Sequence, residues 1–485
     1  KYKQIIALVE NSLGSLYKNY TPINIGANQF IEYELQVNNK IVDLFVPKLQ
    51  IADNTAISGK ITADTGEFVL NLNTPFVSYD GNKVSNLQVD VNSLRTDQNA
   101  FISMDTIDLK MYKIYDFALN NTKRNDTLNV ETRFKGGAEG KDSYNINLYH
   151  TINEERKSVV GLEKSTLQFK ESVWYLNEKE NERNRIIFNK KLNDFIIEDI
   201  SLSHNQQSVL LNGSMHGNAY KDLNLNFENV ELDKITPDLN SLTFGGLVNG
   251  NISFIQDNNI FKPKSKLNIE DLVINDVLLG LFNFEVEGDE SLKNFNVKSN
   301  IVNDYVESFY MNGNIAVSKG TSNLNLDAGF NKFNLKAIAP FLSTIMSDVR
   351  GDASGRVTVQ GTHKDPDIEG KLYLSKAGMR PVFTGVDYLF DENAPLDVTE
   401  SQFILRDVNI TDSKHKTKGL LNGVISHNKL KNWNVDAKLT STNLLALDID
   451  YKEGTPYYGT AFIDGYATIK GPVESLVVNI EAESK

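Results

Sequence analysis

Apolar residues recur at every second position along most of this chain, and that period leaves few folds open. Leu324, Leu326, Ala328 and Phe330 alternate with Asn323, Asn325 and Asp327. The same step recurs in Phe282, Phe284, Val286; in Val357, Val359; in Ile368, Leu372, Leu374; and in Trp433, Val435, Ala437, Leu439. It returns in Ala461, Ile463, Ala467, Ile469 and in Leu476, Val478, Ile480. Strict alternation makes a half-buried strand with one apolar and one polar face. Antiparallel sheets with one wet face produce this pattern; buried parallel strands read as unbroken apolar runs. Asn is frequent, both on the polar face and at expected turns such as Asn82, Asn275 and Asn312. With Gly as punctuation, the whole reads as roughly 35 short strands.

Helical periodicity is confined to short stretches. Ile5, Val9, Leu13, Leu16 and Tyr20 predict an amphipathic helix over 1–20, ended by Thr21-Pro22. Leu335, Ile338, Leu342 and Ile345 predict a second over 335–348, kinked or opened by Pro340. A third is expected at 232–242, with Pro237 in the same role. Organisation follows: a helical segment over 1–22, β-structure over 23–222, and a repeat-bearing β region over 223–485. In that last region, Leu-Asn-Leu-Asn-Phe, a Pro-containing stretch and a Gly-rich strand over 223–254 recur in similar form over 324–359. Gly250 and Gly355 are 105 residues apart, and Gly465, in a weaker copy from Val435 to Ile469, lies 110 further on. A long-period repeat of strands with a short helix suggests an extended stack. The charge-rich stretch 177–185 reads as an exposed loop.

Composition narrows the function. With 485 residues, 40% hydrophobic plus 31 Gly, the chain has enough apolar surface to fold. Its net charge of −13 argues against nucleic acid, which demands a basic face. The longest apolar run, around Val277–Phe282, falls far short of the ~18–20 residues that span a bilayer. The chain opens on Lys1 as an interior cut would, so removed targeting or anchoring segments are expected. Without Cys there are no disulfides, no thiolate chemistry and no Cys-ligated zinc.

No constellation points to catalysis, and no cofactor or metal is expected. The six His (His150, His204, His216, His363, His415, His427) form no pair at metal-helix spacing. Asp365-Pro-Asp367 reads as a hairpin turn, because an EF-hand needs further acidic ligands. Asp448 and Asp450 share a strand face as solvated carboxylates rather than a glycosidase pair. Lys470-Gly471-Pro472 reads as a turn and lacks phosphate-loop spacing; no Gly-x-Ser-x-Gly elbow occurs. Asp105-Thr106-Ile107 and Asp126-Thr127-Leu128 resemble an O-glycan acceptor triplet of some exported bacterial proteins, a match that arises readily by chance.

The surface itself is therefore the functional candidate. A long antiparallel sheet, apolar on one side and nearly devoid of helices to cover it, has to bury that face. It can fold into sandwiches, close into a barrel, or curl into a trough filled by an apolar ligand. A membrane barrel requires strands of ~9–11 residues, and the strands here read as shorter. The expected fold is mostly β: a long curled antiparallel sheet forming an elongated apolar groove (a β-taco), with a few short amphipathic helices.

The run from Val349 to Leu374, Val-Arg-Gly-Asp-Ala-Ser-Gly-Arg-Val-Thr-Val-Gln-Gly-Thr-His-Lys-Asp-Pro-Asp-Ile-Glu-Gly-Lys-Leu-Tyr-Leu, resembles the Gly-x3-Gly-x5-Gly…Pro-x3-Gly signature of the TamB family. TamB is the translocation and assembly module subunit. Val386-Asp-Tyr388, Gly419-Leu-Leu-Asn-Gly-Val-Ile-Ser-His427 and Tyr457-Tyr-Gly-Thr-Ala-Phe-Ile-Asp-Gly465 continue the likeness. Leu-Phe-Val-Pro47, Ile57-Ser-Gly59 and Ser172-Val-Trp174 look like upstream parts. The resemblance covers most of the chain and is strongest after about residue 220. It implies an AsmA-like protein, similar to bridge-like lipid transfer proteins, in the periplasm of a diderm bacterium. The family is anchored in the inner membrane by an N-terminal helix, absent here, and meets an outer-membrane barrel of the TamA/BamA type. It is implicated in moving phospholipids between the membranes and in assembling outer-membrane proteins. This chain would then be an internal fragment.

On this reading the trough floor comprises Leu225, Phe227, Ile252, Phe254, Leu267, Ile269, Phe284, Val286, Met311, Ile315, Leu326, Phe330, Val357, Val359, Ile368, Leu372, Leu374, Leu421, Ile425, Val435, Leu439, Ile463 and Ile469. The competing assignment for each is ordinary sandwich core. The helix at 335–348 would lie as a flap on the rim or as a plug on a sheet edge. Three functions compete: a phospholipid conduit, a scaffold or chaperone for outer-membrane barrel assembly or secretion by β-augmentation, and a β-sandwich adhesin.

Overall fold

Alternation on this scale yields hairpin after hairpin. The computed structural model describes residues 2–37, 42, 46, 48–94, 97–109, 112–137, 140–236, 242–318, 320–428, 431–451 and 457–483. They hold 31 strands and few helical residues, and the expectation of a mostly β chain built on antiparallel sheet holds. No helix among the described residues is long and apolar enough to cross a membrane. Two compact units organise the chain: Lys1–Glu228 with Ile255–Asn258, and Asn229–Phe254 with Asn259–Lys485.

The strands are fewer and longer than expected. Met346–Thr362 and Asp365–Pro381 each run 17 residues and Lys431–Ile449 runs 19. Bulges explain the difference. The register shifts between Ile269 and Leu272, between Phe330 and Phe333, and between Leu405 and Val408, while the ladder continues on either side. Each bulge flips the alternation, so one strand reads as two. Strand length therefore carries no weight against a membrane barrel. The second unit differs from such barrels in another way, because its apolar faces pack against one another instead of facing outward.

Several expected turns are ladder. Asn312 pairs across to Lys298 and Asp327, and Asn82 opens a strand opposite Tyr79. Asn275 does sit in a turn, with φ +50°. The hairpin near Asp365 turns at His363–Lys364, where Thr362 faces Asp365. Lys470, Gly471 and Pro472 pair with Asp436, Val435 and Asn434. Asp450 lies just past its strand, while Asp448 is within it.

In the first unit, strands from Phe68–Tyr79 to Asp142–Ile152 pair in chain order. The ladder then splits. Ser158–Leu162 and Ser165–Phe169 both pair with Asp142–Ile152, and Arg185–Phe188 and Ser172–Leu176 both pair with Asp194–His204. Two short strands thus stand end to end where one would run. Buried amides bridge the break: Asn177 donates to the Leu162 carbonyl at 2.7 Å, and the Asn184 Oδ1 accepts from Ser201 N at 2.9 Å. The 177–185 loop is therefore exposed in its charged middle and pinned by buried Asn at both ends.

The N-terminal helix spans Tyr2–Gly14, shorter than expected, and packs on the strands Ala56–Thr62 and Phe68–Tyr79. Of the expected stripe, Val9 and Leu13 pack inward and Leu16 is buried, joined by Leu8 and Ser12, whereas Ile5 is exposed. Burial pairs Leu8 with Ile61 and Phe68 in one cluster. Beyond the helix, Tyr17 meets His150 Nδ1 at 2.5 Å and Asn19 donates to the Ile152 carbonyl at 2.9 Å.

In the second unit, strands from Ile260–Ile274 to Thr321–Asn334 pair in order. A 3-10 helix, Leu335–Leu342, interrupts, and the order resumes from Met346–Thr362 to Val477–Glu483. Tyr388–Phe390 and Ala394–Thr399 share one strand position, the second such break. The expected helix at 335–348 thus ends at Leu342, and Met346 is already strand. The one at 232–242 is reduced to Leu232–Ile235; Pro237 lies outside the described residues. The repeat glycines have a backbone role. Gly250 and Gly355 have φ of +127° and +147°, and a Cβ on either would come within 2.2 Å of a carbonyl in the facing strand.

Candidate functional site

Seventeen buried residues between Ala353 and Ile469 form one cluster in the second unit. All but Val386 come from strands that are neighbours in a single ladder, with only short helical turns beside them. A ladder buries its own face in this way only by curling onto it. Curling brings Tyr388 across to donate its hydroxyl to the Leu445 carbonyl at 2.9 Å. Burial pushes the Tyr388 phenol above its ordinary range.

The curl is incompletely filled. A cavity of about 340 Å3 opens between the 3-10 helix and the sheet, lined by Ile338, Phe341, Leu372, Leu374, Leu396 and Phe403 among others. A smaller space of about 60 Å3 adjoins it through shared residues Ile345, Met346, Met379, Leu405 and Ile425. It reaches down to Ile410, Leu421, Val435, Leu439 and Ile469. Together they form an apolar trough.

The roof is built locally. Asn334 caps the helix by accepting from Lys336 N at 3.0 Å. Pro340, which has no N–H, suits so short a helix. Ala337 is buried in a second cluster with Leu272, Leu279 and Ile301, and its carbonyl accepts from Asn275 Nδ2 at 2.7 Å. The helix is therefore pinned on one side and roofs the trough with the other, where Ile338 and Phe341 remain 39% exposed.

Among the described residues, Arg350 is the one charged side chain lining the trough. Its guanidinium makes a bidentate pair with Asp387, at 2.8 and 2.9 Å. Burial alone would raise the Asp387 carboxyl; the bonds from Arg350 and Ser413 outweigh it and hold it below the usual carboxylate range. The guanidinium lies against Gly378, where a Cβ would come within 2.7 Å of its carbon. Arg350, Gly378, Asp387 and Tyr388 thus interlock at one corner.

The expected floor residues divide. Leu372, Leu374 and Ile425 line the larger space; Leu421, Ile425, Val435, Leu439 and Ile469 line the smaller, and Ile463 is buried in the same cluster. Others stand in cross-strand rows away from it. Leu326 faces Val359, which faces Ile368; Met311 and Val357 both face Ala328; Phe330 faces Gly355 and Ile315 faces Leu324. Leu267 faces Phe284, Val286 faces Ser265 and Val297, and Ile269 packs beside Ala337. Phe254 is half-buried and Ile252 is exposed. Leu225 and Phe227 belong to the first unit, opposite Leu211 and Val209. The helical step at Leu335–Ile345 pointed to the flap on the rim; the Arg350–Asp387 pair was missed.

Elsewhere, His216 pairs with Asp194 at 2.5 Å and Asp448 pairs with Lys414 at 2.8 Å. Thr106 lies within a strand, its hydroxyl 2.6 Å from that of Ser85. Among the described residues no group of three or more His, Asp or Glu is placed to hold a metal.

Fold and site together define a β-sheet protein with an apolar trough closed by a helical roof. No family model, no curated protein and no solved structure matches the chain.

Proposed function

We propose that the chain is a TamB-like carrier of phospholipids. It would move them through the periplasm between inner and outer membranes and so contribute to outer-membrane biogenesis, together with a barrel partner of the TamA/BamA type. The observation that carries this reading is the trough: apolar along its lining, roofed, and about 340 Å3 in volume, within the range of small-molecule sites. An acyl chain leaving water gains about 0.8 kcal/mol per buried CH₂. With its charged lining residue, Arg350, held by Asp387, the rest of the lining is apolar and keeps that gain even, so a tail slides while its head group stays in solvent.

Native mass spectrometry of the chain purified from a bacterial envelope tests the reading. Bound phospholipid is expected, and Leu372→Asp, a charge in the trough, removes it while circular dichroism stays β-rich. A lipid-free wild-type chain, or a folded Leu372→Asp variant that keeps its lipid, overturns it.

A further inference from the structure

The opposite, polar face of the second unit carries its own concavity. A cleft of about 780 Å3 lies over the strands Ile260–Ile274, Val277–Gly288, Asn294–Asn303 and Val306–Ser318. A neighbouring cleft of about 470 Å3 shares Glu285, Lys298 and Asn312 with it.

Register sets the lining in rows. One row runs Asn268, Asn283, Asn300, Tyr310 across four strands. The next runs Lys266, Glu285, Lys298, Asn312, and a third ends in Asn296, Asn314, Asn325. Each row places a side chain about every 4.8 Å, the strand spacing.

The chemistry of these rows selects a ligand. A carboxamide both donates and accepts hydrogen bonds, as a sugar hydroxyl does. The side chains of Asn268, Asn312 and Asn325 make no hydrogen bond among the described residues, so their amides are free for a ligand. Charges lining the two clefts balance, three Lys against three Glu: Lys266 pairs with Glu285 at 2.9 Å, Lys264 pairs with Glu287 at 3.6 Å, and Lys298 and Glu307 add one of each sign. A cleft without net charge favours a neutral occupant over an anionic one. The Tyr310 ring covers Gly329, where a Cβ would come within 2.1 Å of it, and lines the cleft as its aromatic surface.

The geometry points to a neutral oligosaccharide lying across these strands, held by the carboxamide rows and stacked on Tyr310. The site is independent of the apolar trough.

Isothermal titration of the full chain with two hexasaccharides, β-1,4-linked glucose and β-1,4-linked N-acetylglucosamine, tests it. At least one is expected to bind. Tyr310→Ala and Asn312→Ala each weaken binding about fivefold, the loss of roughly one hydrogen bond or its equivalent, while Leu372→Asp leaves it unchanged. Asn312 is exposed and Tyr310 half-buried, and far-ultraviolet circular dichroism verifies that each variant folds. Absence of binding at millimolar sugar overturns the assignment. So does binding that survives both cleft substitutions, or tighter binding of a neutral extended hexapeptide than of either sugar.

Discussion

Asn abundance has a physical cause at the level of single residues. A bulge removes a backbone N–H from the ladder, and something has to accept its hydrogen bond. Asn229, at positive φ, donates its N–H to the Asn249 side chain at 2.8 Å; at the Lys332 bulge the acceptor is Ser354 Oγ, at 2.9 Å. At Asp407 it is Asn422 Oδ1, at 2.9 Å, and Asn422 returns the bond to the Asp407 carboxylate at 3.0 Å. Asn229, Lys332 and Asp407 all have φ near +50°. Asn422→Leu is expected to cost about 1–2 kcal/mol by orphaning that N–H, read as a lower urea midpoint with unchanged slope. Asp412 is the extreme case, a buried carboxylate accepting from Lys414, His415 and Thr417 backbone N–H groups and from the Thr417 hydroxyl. Burial alone would raise its carboxyl, but these bonds hold it below the usual range. Its folded pKa is depressed, so its contribution is full above the ordinary Asp value near 3.9 and is lost as the pH falls below it. Asp412→Asn should be less stable than wild type at pH 7, with the gap closing in acid, as thermal melts at pH 7 and pH 3 would record.

Elements tell a similar story of what the sequence discloses. Strand existence and the residues that share a face were legible, since alternation reports both: Leu326, Val359 and Ile368 do stand opposite one another. Strand length was not, because a bulge and a turn break alternation alike. Asn312 belongs to a ladder for the same reason: an Asn on the wet face and an Asn in a turn carry the same signal. The helical step at 335–345 located the roof, but its 3-10 form depends on tertiary contacts, notably buried Ala337 and Ile345. Ile345→Ala is expected to cost roughly 2–4 kcal/mol as a cavity substitution, seen as a lower melting temperature. Phe341→Ser, by contrast, alters a residue 39% exposed. It should leave the fold nearly as stable, within about 1 kcal/mol, yet speed release of a bound fluorescent fatty acid measured by stopped flow.

In the second unit, the apolar face is buried without a second layer. The alternation required the apolar face to be covered; whether by curling or by sandwiching depends on long-range contacts such as Tyr388 with Leu445, 57 residues apart, which no local pattern encodes. A second consequence lies in the order of pairing. From Ile260–Ile274 to Thr321–Asn334 each strand takes its immediate successor as partner. No strand has to be threaded between two others already in place, so closure involves short loops. Such a stretch is open-ended as a piece of construction. Removing two consecutive strands, or copying them, restores every direction and every inward face, with only two neighbours to refit. Reach, rather than shape, is then the property a gene of this kind can most easily change, by whole hairpins at a time.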